Sequence, residues 1–327
     1  MTFHPLPRLG TKRPVFDARI GSNSFGDLPD WNLDDLYTDP DAPELQRDLT
    51  WLETACAGFA STYQGKLAGL SAAQMLACVQ AYEAIDITAG RIGSYAGLRY
   101  YQNTMDSERA KFMADVQDAI TNFTTPLVFF SLEFNRLDEA ALADLLASNA
   151  DLARYRPVMD RMRAMRPYQL SDEMEQYLHD ASVVGASAWN KLFDETMAGL
   201  MFKVAGEEEE LNLEATLNLM TDTDRAKREA AARALAAVFD KHIKLFARVH
   251  NTLAKEKEIE DRWRKMPSPQ HGRHLSNHVE PEVVEALRNA VVAAYPKLSH
   301  RYYKLKAKWM GLETLQVWDR NAPLPIE

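Results

Sequence analysis

Apolar residues recur at intervals of three and four from about Pro43 onward, the period of a helix with one buried face. Helix starts are marked by their caps. Ser71 and Gln74 have the spacing of a capping box, with Leu70 and Met75 placed for a hydrophobic staple. Ser171 or Asp172 can cap a helix running through MEQYLHDAS. The strongest pattern predicts a long helix from near Asp222 or Thr223 to about Trp263. On it Leu235, Phe239, His242, Phe246, Val249 and Leu253 form one stripe, with Lys241, Lys244, Arg248 and Asn251 mostly off it. Two more helices are expected at roughly 280–294 and 296–310. The helical period breaks at 200–213, where LMFKVAGEEEELNL alternates, turns at Ala205-Gly206 and alternates again, predicting a small β-hairpin. Pro267, Pro269 and Gly272 predict a loop over 266–274. Residues 1–30 show no period and read as an extended arm, and WNLDDLY at 31–37 opens the folded body. The expected fold class is all-α with that one hairpin.

Composition narrows the function classes. The 327 residues carry 38 basic and 47 acidic side chains, a net charge of −9. General nucleic-acid binding is disfavoured, because it needs a basic surface to displace counterions from phosphates. No apolar run is long enough to span a bilayer, and the first residues lack the apolar stretch of a signal peptide. The two cysteines, Cys56 and Cys78, lie in apolar helical surroundings and read as buried free thiols in a reducing cytoplasm.

Candidate chemistry is sparse. A zinc peptidase places two imidazoles one helical turn apart in His-Glu-x-x-His, with the Glu as base for metal-bound water. None of the eight histidines here is followed by Glu, and the inverted motif is missing too. His271, His274 and His278 fall within eight residues and could meet a metal ion, but they read more naturally as a polar loop before a helix. His242 sits on an apolar stripe, where a satisfied core histidine is the expected role. His250 and His300 lie beside basic residues and read as solvated. His179 and Asp180 are adjacent on a helix and so do not face each other. Glu207–Glu210 reads as a solvated charge run at the hairpin tip. In RYYKLKAKW at 301–309 the aromatic and basic residues could stack on a nucleic acid. The preferred reading packs Tyr302, Leu305 and Trp309 into a core, with the lysines snorkelling opposite. No catalytic, cofactor-binding or metal-ligating residue is therefore assigned.

Several stretches resemble the oligoendopeptidase F family, relatives of thimet oligopeptidase. WNLDDLY (31–37) is similar to its opening, RIGSYAGLRYYQNTMD (91–106) to its Tyr-containing helix followed by an Asp-led turn, and RPYQLSDEMEQYL (166–178) to its segment with Leu-Ser before an acidic helix. AWNKLFDETMAGLMFKV (188–204) resembles its Trp-x-x-Leu-(Phe/Tyr)-(Asp/Glu) helix entering a hairpin, and TDTDRAKREAAARAL (221–235) the opening of its long helix. Residues 274–325, from HLSNHVEPEVV to DRNAPLP, resemble the stretch before the catalytic half. These matches fall in the family's order.

The resemblance implies a multi-helix lobe of a two-lobed channel peptidase that admits short peptides. It implies zinc in the intact enzyme, none of it bound by residues 1–327, and a catalytic half that follows. The chain then divides into the arm (1–30), an N-terminal helical domain (31–185), and a segment (186–327) of hairpin, long helix and approach to the catalytic domain. WDRNAPLPIE reads as a connector. On this reading the chain is inactive alone, and large apolar surfaces on its last helices are exposed. The alternatives are a non-catalytic helical peptide-binding or scaffold protein, with a polar surface there, and a different metal hydrolase built on His271, His274 and His278.

Overall fold

The computed structural model describes residues 31–325, and the expected arm at 1–30 lies outside them. The described residues are helical, with a single antiparallel bridge and no sheet. They divide into two compact units. One runs to Ala188 and includes Ile259–Pro267; the other holds Trp189–Glu258 and Ser268–Glu327.

The first unit is built on α1 (Pro43–Tyr63) and α2 (Ala72–Tyr101), followed by α3 (Ser107–Thr124), α4 (Val128–Arg136), α5 (Glu139–Ser148), α6 (Ala150–Ala153), α7 (Arg156–Ala164) and α8 (Asp172–Ala181). α1 opens with Pro43, whose missing N–H is no loss in a first turn. Leu45, Leu49, Leu52, Cys56 and Phe59 then fall on one face and are all buried. α2 answers with Met75, Cys78, Val79, Ile85, Ile92 and Tyr95. Each fully buried Leu or Ile contributes about 1.5–3 kcal/mol from the apolar surface it removes from water.

Local signals fix the helix starts. Gln74 N donates to Ser71 Oγ at 3.4 Å and Ser71 N donates to Gln74 Oε1 at 2.9 Å, closing the expected capping box. Leu70 packs on the core that holds Met75. Asp106 caps α3 by accepting from Glu108 N and Arg109 N. At α8 the expectation is only half met: Ser171 occupies the cap position but its hydroxyl caps nothing. Glu175 instead reaches back to accept from Leu170 N at 2.9 Å.

Two turns are tied down by carboxylates. Gly65, at φ +76° where a side chain would be strained, donates its N–H to Glu133 at 2.6 Å. Tyr37 is buried, donates to Asp48 Oδ2 at 2.8 Å and lies under the Arg91 guanidinium at 4.5 Å, which seats the 31–37 segment.

The second unit holds most of α9 (Ala186–Ala198), then α10 (Leu213–Leu219), most of α11 (Arg225–Arg264), α12 (His271–Ser276), α13 (Pro281–Ala294) and α14 (Ser299–Trp309). The expected hairpin shrinks to one bridge, Phe202 to Leu211, with N–H to O distances of 2.7 and 2.9 Å. The alternation survives in burial: Leu200, Phe202 and Val204 are buried, Met201 and Lys203 exposed. Phe202 meets Phe239 of α11 edge to face at 5.8 Å, so the alternating segment packs on the helix rather than on a partner strand.

α11 begins three residues after the earliest expected start. Asp224 accepts from Ala226 N at 2.8 Å and so supplies its cap. All six stripe positions, Leu235 to Leu253, are buried or half-buried, while Lys241, Lys244, Arg248 and Asn251 are exposed. The loop expected at 266–274 is interrupted by α12, which takes up its last four residues.

Candidate functional site

Among the described residues, the second unit assembles a buried charge cluster. Asp319 is fully buried and accepts from Arg225 Nε at 3.0 Å, Arg225 Nη2 at 3.1 Å, Arg228 Nη2 at 3.1 Å and Gln316 N at 2.9 Å. Arg228, itself buried, also donates to the Trp318, Asp222 and Thr223 carbonyls. Lys306 is buried and donates to Arg320 O at 2.8 Å and Ala322 O at 2.6 Å. Trp318 lies within cation–π range of Arg225 and Arg233, at 5.8 and 5.5 Å.

Burial by itself would raise the Asp319 pKa. Hydrogen bonds from Arg225, Gln316 N and Arg228 outweigh it and hold the carboxyl below its ordinary range. Burial, then the Arg228 charge, lowers the Lys306 pKa. The cluster fastens residues 316–322 to the start of α11 and to α14. The hydrogen bonds of Arg225, Arg228 and Lys306 go to Asp319 and to backbone carbonyls, an arrangement that acts as a clasp.

Lys306 overturns one expectation. Tyr302, Leu305 and Trp309 were expected to pack inward with the lysines outside, yet all three are exposed and Lys306 is buried. The reason is the pair of carbonyls, Arg320 O and Ala322 O, that only the folded 316–322 segment supplies.

The candidate histidines are dispersed. His271 and His274 lie on α12, and His278 follows it at φ +52°. Among the described residues no group of three or more His, Cys, Asp or Glu is placed to hold a metal ion. His242 is half-buried, with Nδ1 2.8 Å from Val238 O in its own helix. His250 and His300 are exposed, as are Glu208, Glu209 and Glu210. His179 and Asp180 do find partners, in the first unit: His179 Nε2 lies 3.2 Å from Thr124 Oγ1, and Thr125 Oγ1 donates to Asp180 at 2.5 Å. That pair staples α8 to the end of α3. Cys56 and Cys78 are both free and buried, and burial pushes their thiols up to about 11 and about 12.

The comparison with known proteins carries the functional reading. Residues 133–202 match a family model described as Oligopeptidase F. The family that the chain resembles is oligoendopeptidase F. Group B oligopeptidase PepB of Streptococcus agalactiae serotype III (strain NEM316) is 27% identical over 234 residues, which is 70% of this chain and 39% of that protein. Oligoendopeptidase F homolog of Lactococcus lactis subsp. lactis (strain IL1403) is 23% identical over 90% of this chain and 49% of its own. The crystal structure of oligoendopeptidase-F from Enterococcus faecium superposes with a TM-score of 0.76 at 23% identity, covering 86% of this chain and 56% of that one. The oligoendopeptidase F fold is thus present, and the chain spans less than half the length of these two curated relatives.

No helix among the described residues is long and apolar enough to cross a membrane.

Proposed function

We propose that these residues form the helical lobe of a cytoplasmic zinc metalloendopeptidase that hydrolyses peptide bonds in short peptides. The observation that carries this reading is the oligoendopeptidase F fold, which extends over 86% of the chain. The matched relatives bear the names oligopeptidase and oligoendopeptidase F, which points to peptide substrates.

Zinc chemistry belongs, on this reading, to the part of the polypeptide that these residues do not span. The residues present do not fit a zinc ion. None of the histidines is followed by Glu, and His271, His274 and His278 sit on a short helix and the turn after it without a fourth ligand. The lobe's own contribution is shape. Its two cores hold long helices rigid, and the Asp319 clasp fixes the course of residues 316–322. The arm, the 31–185 domain and the 186–327 segment are proposed as the parts of this lobe, with no catalytic residue among them.

Hydrolysis of a quenched fluorescent oligopeptide by the purified 327-residue chain, with added zinc and a chelator control, tests the reading. The expected result is no turnover. Turnover abolished by the chelator would place an active metal site within these residues and overturn it.

A further inference from the structure

We draw no further inference here: the strongest candidate, the surface patch on α14 where Tyr302, Tyr303 and Trp309 stand exposed beside the exposed Arg301, Lys304 and Lys308, carries nothing because nothing in the structure shows what covers it.

Discussion

α1 and α13 carry the same signal and meet opposite fates. Both show apolar residues every three or four positions, and both open with Pro and Glu in the first turn. On α1 the stripe from Leu45 to Phe59 is at most 4% exposed. On α13 no stripe residue is less than 41% exposed. Periodicity therefore specifies a helix and a face, but what covers the face is a property of the whole assembly. α1 finds α2 within its own unit. Among the described residues nothing covers the stripe of α13, and the sequence around it is no different in kind.

The sharpest way to break that contrast is to remove the charges that hold the second unit. Asp319→Ala strands Arg225 and the buried Arg228 without their anion, and the expected loss is about 3–5 kcal/mol, the usual cost of breaking a buried pair from one side. Urea unfolding of wild type and variant measures it. Leu52→Ala, in the middle of the α1 stripe, should cost roughly 2–5 kcal/mol in the first unit through lost burial and the cavity left behind. If the two units unfold separately, the first substitution should shift only the transition of the second unit, and the second substitution only that of the first.

A smaller effect is expected from pH. Asp319 has a folded pKa below its unfolded value, so its contribution is fully present above the unfolded pKa. It is lost as pH falls through the depressed folded value, because the unfolded chain then binds the proton more readily. Stability measured from neutral pH downward should fall more steeply in wild type than in Asp319→Asn, and equal slopes would contradict the clasp. The thiols offer a check without mutation. With pKa values raised to about 11 and about 12 by burial, Cys56 and Cys78 should resist a thiol reagent in the native state near neutral pH and react on unfolding. The smallest effect belongs to α13: Leu287→Ala should change monomer stability by no more than about 0.5 kcal/mol, as expected for an exposed position.

Much of the fold was legible because its causes are local. The Ser71–Gln74 box, the α11 stripe and the alternation of Leu200, Phe202 and Val204 each depend on residues close in sequence. What could not be read depends on distant ones. Arg225 and Asp319 are 94 positions apart, and nothing near either residue signals the other. Lys306 looked like a solvated lysine because its two carbonyls lie 14 and 16 positions away and arrive only when 316–322 folds back. Tyr302 and Trp309, one turn either side of Lys306 on the same face, stay exposed although Lys306 between them is buried. The hairpin is reduced to the single bridge from Phe202 to Leu211 for a related reason: alternation reports burial on one side, and α11 supplies much of that cover.

The candidate site was legible mainly as a lack of motif, with the resemblance to oligoendopeptidase F supplying the functional direction. That direction makes a definite statement about metal. Zinc content of the purified chain, measured by mass spectrometry after dialysis against zinc and then against metal-free buffer, addresses it most directly. The account predicts no retained zinc. One zinc per chain, lost on His274→Ala, would contradict it and return the reaction chemistry to these residues.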